Sequence, residues 1–186
     1  MIVGILLAAG ESRRFGARKL LHPLADGTPM LLQSASTMTA ALTRTVVVVA
    51  PEDSALLALA VRAGADLCVC ERSRDGMGES LACGVRASAQ ARGWIVALAD
   101  MPFIQSATIR AIARALEAGA PIAAPTHEDR RGHPVGFARE YYAQLAALGG
   151  DEGARRIIEC DRARLVLVPV NDPGIHRDID TLADLD

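Results

Sequence analysis

The sequence predicts a single-domain, doubly wound α/β fold built on a mostly parallel sheet. Three observations predict it. Short, wholly apolar runs recur along the 186 residues, segments with helical spacing lie between them, and no linker, repeat or low-complexity stretch interrupts the series. Strands apolar on both faces belong to a sheet covered on both sides, and the helices between them are the crossovers that parallel strands require. A chain of this length buries a substantial core without disulfide or metal staples, so residues 1–186 read as one domain.

The elements follow in order. Ile2-Val3-Gly4-Ile5-Leu6-Leu7 is an apolar run ending in small residues, a buried strand that feeds a tight loop. Residues 45–50 are β-branched and apolar throughout, which suits an interior strand. Pro51-Glu52-Asp53-Ser54 opens a helix whose apolar face is Leu56, Leu57, Leu59, Ala60 and Ala63, with Gly64 as its stop. Residues 66–70 read as a third strand and 94–99 as a fourth, ending at Asp100-Met101-Pro102. Ser106 begins a helix carrying Ile109, Ile112, Ala113 and Leu116, and residues 121–124 and 165–170 add two strand-like runs. In such sheets ligands lie beyond the carboxyl ends of the strands. The Gly10 loop, Asp100 and the segment after Val170 are therefore expected along one edge.

Hydrophobic residues make up 51% of the chain and the net charge is −2, which gives no global attraction to nucleic acid or an anionic membrane. Cations instead concentrate between Arg13 and Lys19 and at Arg130-Arg131, a distribution suited to a small anionic ligand. The first apolar run has no cation before it and stops at Gly10, unlike a membrane helix or a signal peptide. A cytoplasmic protein is expected. Cys68, Cys70, Cys83 and Cys160 form no C-x-x-C pair and no zinc spacing, so they read as reduced, small hydrophobes. Cys68 and Cys70 share one face of their strand.

The loop after the first strand carries the chemistry. Between Gly10 and Lys19 it offers two glycines, four cations and backbone N–H groups, which is a means of holding a polyphosphate. It is not a Walker A motif, because five residues separate Gly10 from Gly16 and Ala17-Arg18 precede Lys19. Nor is it G-x-G-x-x-G. The arrangement A-A-G-x-S-x-R-x-G-x-x-K resembles the signature of nucleotidyltransferases with a Rossmann-like fold. Transfer from a nucleoside triphosphate needs aligned oxygens and neutralised charge. Asp100, at a strand end before Pro102, is the candidate metal ligand or, alternatively, a turn cap. Asp178 and Asp180 share a face opposite Ile179; one is read as a cap of the last helix near Thr181 and the other as a second ligand. Gly78 and Ser80, in a Gly-rich helix start, offer amide and hydroxyl donors to base or ribose, or simply open the helix. Arg131-Gly132-His133-Pro134 is a candidate acceptor loop, or a solvated hairpin tip. For His22 and His127 the sequence suggests no particular role, and His176 lies close to Asp178.

These segments, in order, resemble the molybdenum cofactor nucleotidyltransferase family, in its cytidylyltransferase branch: Leu7-Ala8-Ala9-Gly10 with Arg14, Gly16 and Lys19; Gly76-Met77-Gly78 with Ser80; Leu98-Ala99-Asp100-Met101-Pro102; Arg131 to Val135; Asp172-Pro173-Gly174; and Asp178-Ile179-Asp180-Thr181. The resemblance implies a fold of the nucleotide-diphospho-sugar transferase type and a reaction between CTP and molybdenum-loaded molybdopterin. The products would be a pterin dinucleotide and pyrophosphate. Carried over, Arg14 and Lys19 would hold the triphosphate, while Leu7, Ala8, Ala9, Gly10, Gly78 and Ser80 would contact the nucleotide. Asp100 and Asp180 would ligate Mg²⁺, and Arg131, Gly132, His133 and Pro134 would face the acceptor. Guanylyl relatives carry Gly where this chain has Ala9, and the added methyl narrows the pocket toward a pyrimidine. One departure is Leu182-Ala183, where relatives carry Pro-Glu. Alternatives are guanylyl transfer to the same acceptor, cytidylyl transfer to a sugar or polyol phosphate, and a non-catalytic cofactor chaperone. The implied partners are the small-molecule substrates and a molybdoenzyme or its maturation chaperone.

Overall fold

The computed structural model describes residues 1–10 and 19–185. Within them, strands β1 (Ile2–Leu7), β2 (Thr45–Val49), β3 (Asp66–Val69), β4 (Gly93–Leu98), β5 (Ile122–His127), β6 (Arg130–Arg131), β7 (Val135–Ala138) and β8 (Leu165–Pro169) join one sheet. The order is β3-β2-β1-β4-β7-β5-β6, with β8 also paired to β5. β1 pairs in parallel with β2 and β4, β2 with β3, and β5 with β8. The antiparallel β7 is inserted between β4 and β5.

Both faces of the sheet are covered, as continuous apolar strands require. Leu6, Val47, Val49, Ile95 and Ala97 meet α1 (Met30–Ala41), α2 (Ser54–Arg62) and α4 (Ser106–Glu117) on one side. Val3, Ile5, Val46, Val48 and Trp94 meet α3 (Met77–Ala87), α5 (Tyr142–Ala146) and α6 (Arg155–Cys160) on the other. Successive residues of β1 and β2 alternate between these two cores, which is the period-2 rule applied to interior strands with no solvent face. Trp94 is fully buried and donates its indole N–H to the Ser88 hydroxyl at 2.9 Å, which leaves that polar atom satisfied inside the second core.

The expected strands form within a residue or two of their sequence limits. Three features differ. β5 runs on to His127 and turns back through β6 into β7, so β6 and β7 pair with β5 antiparallel while β8 pairs with it in parallel. β8 lies against β5 alone, and Val166 and Leu167 stay 42% and 52% exposed. The last helix is a short 3-10 turn, Leu182–Leu185. Its start is held by Asp184, whose carboxylate accepts from the Asp180 and Thr181 amides at 3.0 and 2.7 Å, so neither Asp178 nor Asp180 supplies that cap.

Cys68 and Cys70 are buried on one face, as alternation predicts, and α3 brings Cys83 to them, with 3.3 Å between the Cys68 and Cys83 sulfurs. Burial raises all three thiols above the ordinary cysteine value, Cys70 to about 11. No helix among the described residues is long and apolar enough to cross a membrane.

Candidate functional site

Asp100 sits just past the carboxyl end of β4. Two bonds fix that end: Ala99 donates to the Leu7 carbonyl at 3.1 Å, and the buried Ser34 hydroxyl of α1 donates to the Ala99 carbonyl at 2.8 Å. The C-terminal segment then crosses the same edge. Ile179, fully buried, donates its amide to the Asp100 carbonyl at 3.0 Å, which sets Asp180 beside Asp100.

Lys19 completes the cluster. Its ammonium donates to Asp100 Oδ2 at 2.9 Å and to Asp180 Oδ1 at 3.1 Å, bridging side chains 81 and 161 residues away in sequence. The lysine side chain is only 8% exposed, against 28% and 49% for the two aspartates. Burial works against the ammonium, but the hydrogen bonds and charges of Asp100 and Asp180 outweigh it and hold Lys19 above the ordinary lysine value. It is therefore protonated at neutral pH. The second oxygen, Asp100 Oδ1, is buried without a hydrogen-bond partner among the described residues. An orphaned carboxylate oxygen in such a place is unusual enough to suggest a ligand.

His133 stands near these acids. Its amide donates to the Ile175 carbonyl at 3.0 Å, and its Nδ1 is likewise buried without a partner among the described residues. Burial, together with the Arg131 charge, lowers its pKa, while the charges of Asp100 and Asp178 act in the opposite direction. The imidazole is thus neutral at neutral pH.

What aligns the three loops is a stack of close backbone contacts. Asp172, 1% exposed, accepts from the Gln105 amide at 2.8 Å, the Thr108 hydroxyl at 2.6 Å and the Gly174 amide at 3.0 Å. It thereby caps α4 from 67 residues away in sequence. A Cβ at Gly174 would overlap the Phe103 carbonyl, and one at Gly132 would overlap the Ile175 carbonyl. The Asp100–Ile104 turn, the 172–176 turn and the 132–134 turn are thus pressed together, and only glycine fits at the two crossings.

The sequence candidates divide accordingly. Lys19, Asp100 and Asp180 meet, and Gly132, His133 and Pro134 lie beside them through Ile175. Arg131 is exposed on β6. Arg14, with Gly16, lies outside the described residues. In the first loop Ala8 gives its amide to the Val48 carbonyl at 2.9 Å and Leu7 receives the Ala99 amide, so among residues 7–10 the part left for a ligand is Ala9-Gly10. Gly78 sits against a second turn: its amide donates to the Gly150 carbonyl at 2.7 Å, and a Cβ there would sit 2.6 Å from the Gly149 carbonyl oxygen. Its smallness serves packing against that turn, and its N–H is not free for a nucleotide. Ser80 is buried in the same helix start.

Sequence reasoning missed Asp172 as the clamp and Asp184 as the terminal cap. It also passed over a compositional signal, since Lys19 is the only lysine among the 20 Lys and Arg residues.

Two carboxylates at this position suit a hard divalent cation. Among the described residues no group of three His, Cys, Asp or Glu side chains forms a full metal cage. Mg²⁺ and Mn²⁺ are ions for which one or two protein carboxylates can suffice, because substrate phosphates and water supply the remaining ligands. The orphaned Asp100 Oδ1 gives such an ion a donor, so the residues fit it.

The family model described as MobA-like NTP transferase domain matches residues 4–166. The chain belongs to this family. Among curated proteins, the purine catabolism protein PucB of Bacillus subtilis (strain 168) is 30% identical over 196 positions, covering 100% of this chain and 94% of PucB. Among solved structures, Rv0371c from Mycobacterium tuberculosis H37Rv is 29% identical with a TM-score of 0.84, covering 98% of this chain and 94% of that one. Rv0371c in complex with manganese is 28% identical with a TM-score of 0.78, covering 98% and 95%. This MobA-like chain is therefore a nucleotidyltransferase with the expected single-domain fold.

Proposed function

We propose that this MobA-like protein transfers CMP from CTP to the phosphate of molybdenum-loaded molybdopterin, releasing pyrophosphate, and that residues 1–186 act in the cytoplasm as one nucleotidyltransferase domain. The observation that carries the reading is the Asp100–Lys19–Asp180 cluster beyond the carboxyl end of β4, where an α/β sheet directs its ligands. An acceptor phosphate oxygen forms a bond to the α-phosphorus, the bond from that phosphorus to the α–β bridging oxygen breaks, and the electron pair leaves with pyrophosphate. Such a step asks the protein mainly for alignment and charge neutralisation.

Asp100 and Asp180 would hold Mg²⁺, which supplies charge neutralisation at the α-phosphate when bound. The manganese complex of a relative 28% identical supports a divalent cation here. Lys19 and Arg14 bind the triphosphate. The Ala9-Gly10 backbone borders the base, and the Ala9 methyl favours cytosine over a purine by narrowing that border. The Gly132-His133-Pro134 turn, with Arg131 at its rim, faces the acceptor. His133 is neutral and offers one ring nitrogen as a hydrogen-bond donor.

The test is pyrophosphate release from CTP and from GTP with molybdenum-loaded molybdopterin. CTP is expected to dominate, and Asp100→Asn is expected to lower the rate by at least about 100-fold. Preference for GTP would reassign the base. Transfer only to a sugar phosphate would reassign the acceptor, and pterin binding without pyrophosphate release would make the protein a carrier.

A further inference from the structure

Lys19 is given two tasks that cannot be performed at once. A lysine that binds a triphosphate must point its ammonium at phosphate oxygens, yet here the ammonium is spent on Asp100 Oδ2 and Asp180 Oδ1, the two acids read as metal ligands. It is 8% exposed and makes both contacts at hydrogen-bond distance, so this is a packed arrangement rather than a side chain resting on the surface. Its identity sharpens the point. In a chain whose other basic Lys and Arg residues are all arginine, the single lysine stands between two carboxylates. A guanidinium is a wide planar fork, whereas an ammonium is a compact point charge with three donors, and of the two it is the better stand-in for a small cation.

We propose that the Lys19 ammonium and the divalent cation are alternative occupants of the same two-carboxylate seat, so that the cation enters together with the triphosphate that draws Lys19 away. The inference rests on reading Asp100 and Asp180 as the metal ligands. Its physical basis is short. Asp100 and Asp180 left bare at this edge would repel each other, and Lys19 removes that repulsion before substrate arrives. An ammonium already on the seat in turn repels a second cation. Nucleotide phosphates relieve the conflict by offering Lys19 another set of oxygens, while Asp100 Oδ1, buried and unpartnered among the described residues, remains for the incoming ion. Free metal would then bind weakly, and nucleotide and metal would bind with positive coupling.

The test measures Mn²⁺ affinity by electron paramagnetic resonance, without nucleotide, on wild type, Lys19→Met, Asp100→Asn and the Lys19→Met/Asp100→Asn double variant. Lys19→Met is expected to bind Mn²⁺ on the order of 10-fold more tightly than wild type, with the gain lost in the double variant. Equal or weaker binding by Lys19→Met, with wild-type binding still abolished by Asp100→Asn, would overturn the exchange and leave the metal seat standing. Absence of Mn²⁺ binding sensitive to Asp100→Asn in either background, with or without a CTP analogue bearing an α,β-methylene bridge, would overturn the metal seat and the exchange with it.

A second measurement needs no variant. Lysine labelled with ¹⁵N gives one side-chain signal in this chain, because Lys19 is its only lysine. That signal is expected to shift little when Mg²⁺ is added alone and to move when the CTP analogue and Mg²⁺ are added together. A full shift with Mg²⁺ alone would overturn the proposal.

Discussion

Asp172→Ala isolates the clamp that carries Asp180 to the site. The carboxylate is 1% exposed and accepts three hydrogen bonds, two of them from backbone amides. Leaving a buried donor unsatisfied costs about 1–3 kcal/mol. The three losses do not simply add, because the Gln105 amide is only partly buried and the Thr108 hydroxyl can rotate toward another acceptor. A loss of about 3–5 kcal/mol is expected. In a domain of this size that corresponds to roughly 10 °C in Tm. Thr108→Val, which removes one donor and leaves the two amides bonded, is expected to cost about 1 kcal/mol. Urea denaturation reads both, with the midpoint falling and the m-value unchanged. A loss below about 1 kcal/mol for Asp172→Ala, or equal losses for the two variants, would refute the clamp.

The remaining predictions concern His133 and Gly78. His133 has its folded pKa lowered below the ordinary 6.5, so the unfolded chain takes up that proton first as pH falls. The stability it contributes is present above pH 6.5 and drains away as pH drops through the folded value, with a slope of at most about 1.4 kcal/mol per pH unit. Thermal melts of wild type and His133→Gln should therefore converge in that acidic window, and curves that stay parallel would contradict the buried neutral imidazole. For Gly78→Ala, helix propensity alone would stabilise α3 by about 1 kcal/mol. The 2.6 Å approach to the Gly149 carbonyl oxygen reverses the sign, and a loss of about 1–3 kcal/mol is expected in the same urea assay.

The sequence made the parallel part of the fold legible because those strands are covered on both faces, and continuous β-branched runs occur for few other reasons. It was less informative where the physical signal weakens. β6 is two arginines with no apolar residue. α1 is rich in Ser and Thr, and its apolar face is carried by Met30, Leu31, Ala35 and Met38 without a strong repeat. β8 reads as apolar whether it is interior or, as found, at an edge with Val166 and Leu167 exposed. Nothing in a strand's own residues says which neighbours it will have. That is why the placement of β7 between β4 and β5 had to come from the structure.

The site divides along a similar line. Asp100 was legible because a carboxylate at the end of an apolar strand has a local explanation to beat, and the Gly10 loop supplied the competing one. The choice between cap and ligand for Asp178 and Asp180 was not legible, since it turns on which amides face which oxygens. Asp184 takes the amides of residues 180 and 181, which leaves Asp180 to face Lys19. Gly78 shows where a local signal stops being specific. A glycine at a helix start signals close approach of something, and the sequence does not distinguish a nucleotide from the Gly149-Gly150 backbone that occupies the space. Lys19 carried a legible signal that was lost by counting lysine and arginine as one class. Charge treats them alike, but two carboxylates converging on one point ask for a compact cation. The residue that fits that point is also the one whose departure would, under the proposed exchange, admit another cation, so the geometry that bridges Lys19 to Asp100 and Asp180 would make metal affinity depend on where Lys19 points.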